Sequence, residues 1–413
     1  MDILRFITAG SVDDGKSTLI GRLLYDTKNI LADQLEAVEK ASKTRNNGTV
    51  DLALLTDGLR SEREQGITID VAYKYFQTPN RKFISIDAPG HVQYTRNMVT
   101  GASNADLAIV LIDARQGIVE QTRRHSLLVG LLGIPLVVVA VNKMDLVDFS
   151  EDIFLQIAVE YQKMAENLGI KQTHIIPVSA LDGDNVVDKS VNMPWYTGAT
   201  LLELLETVNV SEQNLQQPSR FPVQFVLRPQ TEALHDYRGY AGRLSSGVLC
   251  TGDSVTVLPS GVGSTIERIE FNNQILDQAQ AGQSVVVHLS TDVDVSRGDV
   301  IVHSKELPTI TQDIEAIVCW LDESKPLIVG NKYVVQHNTA RTRCSVRSID
   351  YQIDIHTYDR LDSTQLKLND IGKITIKTAS PLAIDSYQSI RANGSMILID
   401  ETSNATVGAV MVV

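Results

Sequence analysis

Chemistry is concentrated near the amino terminus, in Gly10-Ser11-Val12-Asp13-Asp14-Gly15-Lys16-Ser17, which has the spacing G-x-x-x-x-G-K-[ST] of a phosphate loop. Its glycines let successive backbone N–H groups turn inward around a polyphosphate. Lys16 can reach the β and γ phosphates, and the Ser17 hydroxyl can ligate Mg²⁺. The loop must be positioned by a strand before it and a helix after it. The apolar run Ile3 to Ala9 supplies the first, and the helical run Thr18 to Leu24 the second.

Four further segments extend this chemistry. Asp87-Ala88-Pro89-Gly90-His91 follows the apolar run Phe83 to Ile86, so Asp87 ends a strand. A carboxylate there can hold Mg²⁺ through water, and the Gly90 N–H can meet a γ-phosphate. Alone, the pentapeptide also reads as a Pro-Gly turn; its place after the phosphate loop favours the first reading. Asn142-Lys143-Met144-Asp145 closes another strand, Leu136 to Val141. The Asp145 carboxylate can accept from guanine N1–H and the 2-amino group, while Lys143 covers the base and Asn142 ties the segment to the phosphate loop. Adenine offers neither donor, and a desolvated carboxylate left unpaired rejects the wrong base by roughly 10⁴-fold. Ser179-Ala180-Leu181, after the run Ile175 to Val178, gains meaning only from position: a backbone N–H there can meet guanine O6. The nucleotide expected is GTP. Gly66-Ile67-Thr68-Ile69-Asp70 lies between the first two motifs. Thr68 there can ligate Mg²⁺ and order its loop only while the γ-phosphate is present, although the residues alone also fit the start of a strand.

With Arg63-Glu64-Gln65-Gly66-Ile67-Thr68-Ile69-Asp70 and Asp87-Ala88-Pro89-Gly90-His91 in place, the chain resembles the translation-factor class of GTPases. Within that class it is similar to the GTPase subunits of bacterial sulfate adenylyltransferase. The similarity rests on the Asp13-Asp14-Gly15-Lys16 loop, Gln93-Tyr94-Thr95-Arg96-Asn97-Met98, Asp113-Ala114-Arg115-Gln116-Gly117, Gln121-Thr122-Arg123-Arg124-His125, Met193-Pro194-Trp195-Tyr196 and Arg238-Gly239-Tyr240-Ala241-Gly242. Elongation factors usually carry His at the position of Asp14 and Thr at that of Ala88. The resemblance implies that His91 orients the attacking water, with Val12 and Ile67 as apolar neighbours, and that Lys16, Thr68 and His91 form the catalytic set. From the residues alone, His91 is equally a solvated turn histidine. Mg²⁺ would be held by Ser17, Thr68 and Asp87. The phosphate and base contacts would come from Gly10 to Thr18, Asp87 to His91, Asn142 to Asp145 and Ser179 to Leu181.

The chain has 413 residues and a net charge of −13. That balance argues against a broad nucleic-acid surface, which needs clustered Lys and Arg. No apolar run approaches the roughly 18 residues of a membrane span. Arg5 interrupts the first apolar run, so the opening residues read as a strand and not a leader. Cys250, Cys319 and Cys344 are scattered and odd in number, as expected of buried thiols in a cytoplasmic protein. His125, His288, His303, His337 and His356 show no ligand spacing.

Residues 1–210 alternate apolar strands with helical patterns, predicting an α/β domain with a mostly parallel sheet and helices on both faces. Within it, Leu31, Leu35 and Val38 recur at helical spacing in the segment 26–60. The polar stretch 211–219 reads as a linker. After it come short alternating strands with glycine turns, broken near Pro308, which divides 220–307 from 308–413. Periodicity alone does not separate barrels from sandwiches; the resemblance implies two antiparallel β-barrels. Arg297-Gly298-Asp299 reads as a turn.

The resemblance further implies a GTPase subunit whose hydrolysis of GTP drives formation of adenosine 5′-phosphosulfate and pyrophosphate from ATP and sulfate. It also implies that a partner subunit, joined in a heterodimer, carries the adenylyl transfer, and the absence of a second phosphate loop from this chain fits that view. The alternative is an elongation-factor-like GTPase carrying aminoacyl-tRNA, which shares every motif above.

Overall fold

The computed structural model describes residues 3–30, 52, 72–87, 95–209, 215–229, 237–272 and 274–413. The chain divides into two compact units, Met1–Val210 with Ile355–Tyr358, and Ser211–Asp354 with Asp359–Val413.

The first unit is built on one sheet. Its strands are β1 (Ile3–Ala9), β2 (Ala72–Gln77), β3 (Lys82–Asp87), β4 (Leu107–Asp113), β5 (Leu136–Asn142) and β6 (Gln172–Pro177). They are ordered β2-β3-β1-β4-β5-β6. Only β2 runs antiparallel to its neighbour; the other pairs are parallel. Both β4 and β5 are buried at all seven positions, which explains their unbroken Val, Ile and Leu runs: a strand covered on both faces has no polar side to alternate with. The helices are α1 (Lys16–Asp26), α2 (Thr95–Ala102), α3 (Glu120–Leu131), α4 (Glu151–Asn167) and α5 (Leu201–Thr207). Leu19, Ile20 and Leu23 of α1 join Leu4, Phe6, Ile109, Leu111 and Val138 of the sheet in one core. At α4 the Ser150 side chain accepts from the Ile153 N–H, and Glu151 and Asp152 occupy the first turn, where a helix dipole favours anions. Thr200 and Glu203 form a reciprocal capping box on α5.

Parallel pairing gathers the carboxyl ends of the strands along one edge. Thr8 stands opposite Asp87, and Asp113 opposite Asn142. In open α/β sheets this edge is where ligands bind. The helical pattern of Leu31, Leu35 and Val38 lies outside the described residues.

The second unit holds two closed antiparallel barrels. In the first, Ser254–Leu258 pairs with Val300–His303, followed by Arg220–Leu227, Gly239–Arg243, Ser284–Leu289 and Val262–Phe271, which returns to Ser254–Leu258. The second runs Lys332–His337, Ser395–Ile399, Thr406–Val412, Thr309–Trp320, Ile371–Ile384 and Ala340–Ile353, closing on Lys332–His337. Here burial alternates along the strands, as in Ile371–Ile384, because one face looks inward and the other outward. The Arg238-Gly239-Tyr240-Ala241-Gly242 motif is explained by packing. Tyr240 is buried and its hydroxyl donates to the Val293 carbonyl at 3.0 Å. A Cβ on Gly242 would stand 2.4 Å from the Pro222 carbonyl oxygen.

Between the two barrels, Leu258, Val300, Val302 and Ala383 form a small apolar cluster. Beside it Arg220, only 2% exposed, donates from Nε and Nη2 to Asp385 at 2.7 and 2.9 Å. Its Nη1 donates to the carbonyls of Ser219 and Glu306, and Asn393 Nδ2 donates to the same Asp385 carboxylate at 2.8 Å. Trp320, fully buried in the second barrel, donates its indole N–H to the Lys325 carbonyl at 2.8 Å. The end of the polar stretch before the first barrel is packed instead of solvated: Ser219 is 1% exposed, and Ser246 Oγ donates to the Pro218 carbonyl. Cys319 and Cys344 are buried, as expected, whereas Cys250 is partly exposed; all three are free thiols. Arg297-Gly298-Asp299 is a turn, with Gly298 at φ 105°.

Candidate nucleotide site

The phosphate loop leaves the end of β1 and enters α1 at Lys16. Gly15 caps the helix with φ 95°, a left-handed conformation that suits glycine. A Cβ there would also lie 2.4 Å from Asn142 Nδ2, so no larger residue fits. Lys16 is 7% exposed, and its Nζ donates to the carbonyls of Gly10 at 3.1 Å and Ser11 at 2.8 Å. Burial lowers its pKa, with Asp87, Asp14 and Asp13 opposing that shift. The Asp14 carboxylate accepts the Ser11 N–H. Burial pushes Asp14 up to about 6, against the lowering effects of Lys16 and the Ser11 hydrogen bond. Val12, Ser17 and Thr18 are half-buried, and Asp13 is exposed with φ 68°. Asp87 Oδ1 accepts from Thr8 Oγ1 at 2.8 Å across the β1–β3 pair.

At the far side of the same edge, Asn142 makes the bridge that its side chain invited. Its Nδ2 donates to the Asp14 carbonyl at 2.7 Å, and its Oδ1 accepts the Ala180 N–H at 2.9 Å. One amide thus joins the phosphate loop, the end of β5 and the segment after β6. Lys143 takes a left-handed conformation, φ 64°, and its Nζ pairs with Asp113 Oδ2 at 2.9 Å. Arg115 donates to both Asp113 oxygens, at 3.0 and 2.7 Å. Burial alone would raise the Asp113 pKa; the hydrogen bonds from Arg115 and Lys143 hold it well below the usual carboxylate range. Met144 is fully buried and Asp145 half-buried in the short turn Met144–Val147. That turn is steadied from outside: Trp195 Nε1 donates to the Phe149 carbonyl at 3.1 Å, and its ring lies 5.3 Å from that of Phe154. Ser179 and Ala180 are buried, and Leu181 is 59% exposed.

The structure therefore brings together Gly10 to Thr18, Asp87, Asn142 to Asp145 and Ser179 to Leu181. Gly66, Ile67, Thr68, Ile69 and Asp70, and likewise Ala88, Pro89, Gly90 and His91, lie outside the described residues. Sequence reasoning missed Thr8, which orients Asp87, and Asp113, which holds Lys143. The signal for Asp113 was its place: a carboxylate ending a strand beside the one that ends in Asn142. His125, set aside as dispersed, is buried on α3; burial, then Lys16 and Arg124, hold its pKa down to about 3, so it is neutral.

The edge has the chemistry to bind a polyphosphate. The backbone of a helix amino terminus, a buried cation and oxygen donors converge there. The donor set also fits Mg²⁺, which takes one or two protein oxygens together with phosphates and water. The hydroxyl of Ser17 and the carboxylate of Asp87 are such donors, and no group of three or more His, Cys, Asp or Glu that could hold a metal occurs among the described residues.

Comparison with known proteins agrees. Residues 1–213 match the Elongation factor Tu GTP binding domain, and residues 313–413 match the GTP-eEF1A C-terminal domain-like family. Together with the closed barrels, this makes the chain a GTPase of the translation-factor superfamily. Along its whole length it is 52% identical to Sulfate adenylyltransferase subunit 1 of Aeromonas hydrophila, covering 86% of that protein. It is 50% identical to the protein of the same name from Sulfurovum sp. (strain NBC37-1), covering all of this chain and 87% of that one. Against Bifunctional enzyme CysN/CysC of Mycobacterium tuberculosis the identity is 51%, over 99% of this chain and 67% of that protein. The chain belongs to the sulfate adenylyltransferase subunit 1 family.

Proposed function

We propose that this chain hydrolyses GTP to drive the synthesis of adenosine 5′-phosphosulfate and pyrophosphate from ATP and sulfate. Sulfate is a weak nucleophile and the phosphosulfate anhydride is high in energy, so the reaction runs uphill unless coupled. The adenylyl transfer belongs to a partner catalytic subunit in a heterodimer, a role consistent with the words "subunit 1" in the relatives' names. The assembly is cytoplasmic and binds no nucleic acid. Among the described residues no helix is long and apolar enough to cross a membrane. The domain division follows the same reading: a GTP-binding domain over 1–210, a linker over 211–219, and barrels over 220–307 and 308–413.

The observation that carries the nucleotide assignment is the Asn142 bridge from the Asp14 carbonyl to the Ala180 N–H. It sets the base-reading segment at a fixed distance from the phosphate loop. In this reading Asp145 accepts from guanine N1–H and the 2-amino group, and Lys143, steered by Asp113, covers the base. Lys16 turns from the loop carbonyls to the phosphates and offsets the charge that develops on them. Ser17, Thr68 and Asp87 would hold Mg²⁺, which supplies charge neutralisation between the β and γ phosphates. His91 positions the attacking water. The segments around Thr68 and around Gly90-His91 form the switch, favouring one arrangement of the two subunits before hydrolysis and another after it.

The test is adenosine 5′-phosphosulfate formation by the co-purified complex with GTP or XTP. The wild-type complex should respond to GTP and ignore XTP. With Asp145→Asn the response should move to XTP, because the amide N–H matches the 2-carbonyl of xanthine. Product formation at the same rate with no guanine nucleotide would end the coupling proposal. A variant that keeps its GTP preference would end the Asp145 assignment.

A further inference from the structure

Arg22 lies on α1, six residues beyond Lys16, and its side chain reaches the segment that follows β6. Its Nε donates to the Ala180 carbonyl at 3.2 Å, and its Nη2 donates to the Leu181 carbonyl. Its Nη1 is held by Asp26 Oδ1 at 3.3 Å, and the guanidinium lies over the Tyr25 ring, 5.8 Å from the centroid. The side chain is 17% exposed; its bond to the Ala180 carbonyl is partly buried, and that to the Leu181 carbonyl lies at the surface.

The amides of the same segment are nearly all taken. Ser179 N donates to the Asp184 carbonyl, and Gly183 N to that of Ser179. Ala180 N donates to Asn142 Oδ1, and Asp182 N to Ser179 Oγ. Among the described residues, the Leu181 N–H is the one amide of this segment without an acceptor. It shares one planar peptide unit with the Ala180 carbonyl, and in a trans peptide the two point in opposite directions. Fixing the carbonyl from the side of α1 therefore aims the N–H away from α1. A second bond, to the Leu181 carbonyl, fixes the next peptide plane and removes the remaining freedom to swivel.

We propose that Arg22 is a positioning residue for base recognition, holding the Ala180–Leu181 peptide so that the free Leu181 N–H meets the 6-oxygen of guanine. The proposal rests on the guanine reading of the site. It also links the two halves of the site a second time. Asn142 joins phosphate loop to base segment through side-chain bonds, and Arg22 does so through the helix that the phosphate loop begins.

The experiment compares GDP with 6-thio-GDP, whose sulfur accepts a hydrogen bond weakly while N1–H and the 2-amino group remain. Wild type should favour GDP by about fivefold, the worth of one neutral hydrogen bond. In Arg22→Met, GDP affinity should fall by about that factor, 6-thio-GDP affinity should hold, and the ratio should approach one. Arg22→Lys, which keeps a donor, should recover part of the ratio and guards against a folding defect in the Met variant. Equal weakening toward both nucleotides, an unchanged ratio, or a wild type blind to the sulfur would each overturn the proposal. A wild type that binds ADP as tightly as GDP would instead refute the guanine reading beneath it.

Discussion

Arg220 and Lys16 are both buried cations, yet their surroundings differ in kind. Arg220, between the barrels, has every donor group answered: two bonds to Asp385 and two to backbone carbonyls. Among the described residues Lys16 donates only to loop carbonyls and makes no ion pair. Its neighbour Asp14 is equally ill at ease, buried with a raised pKa. A charge fully answered by its own chain serves the fold. One left partly answered serves a ligand that will complete it.

Three variants probe that contrast. Arg220→Ala leaves the partly buried Asp385 with Asn393 as its remaining side-chain partner among the described residues, so stability should drop by about 3–5 kcal/mol, read from denaturant unfolding. GDP affinity of the folded fraction should stay within about twofold, since the site and its hydrogen bonds are untouched. Should nucleotide binding fall as far as stability does, the division of labour between the two cations is wrong. Lys16→Met should do the reverse. On the proposed reading it would remove two charge-assisted phosphate contacts, roughly 3 kcal/mol or about a hundredfold in GTP affinity, while the nucleotide-free chain should unfold at the same denaturant concentration or later.

Asp14→Asn carries the smallest effect and the clearest sign. Because the folded pKa is raised from 3.8 to about 6, the protonated form suits the folded loop. The resulting stability is full below about pH 4 and is lost as pH climbs through 6. Asparagine stands in for the protonated acid, so the nucleotide-free variant should gain roughly 2 kcal/mol at pH 8 and almost nothing at pH 4. Thermal melts at the two pH values decide it; an equal gain at both would mean that Asp14 is not strained by charge.

Much of this site was legible before any coordinates, and the reason is chemical. Gly15 and Asn142 each have a role that no other residue type fills, so their spacing announced the geometry that the Asn142 bridge displays. A strand was legible where burial is total, as in β5, read from its run Leu136 to Val141. What stayed hidden depends on register. Asp113 is one more strand end until β4 pairs with β5 and sets it beside Asn142. Arg22 looks like a solvated helix residue until β6 brings Ala180 within reach. Closure of the barrels was hidden for the same cause. Ser254–Leu258 alternates as any sheet strand does, and only its two antiparallel partners reveal a ring.

The chain contains two tryptophans, and the fold has dealt one to each unit. Trp195 braces the turn after Asp145, half in water, while Trp320 is sealed inside the last barrel. Their emission should differ in colour and in access to quenchers. A Trp320→Phe chain thus carries its own optical gauge of the turn at Asp145, and a Trp195→Phe chain one of the barrels, with no dye attached.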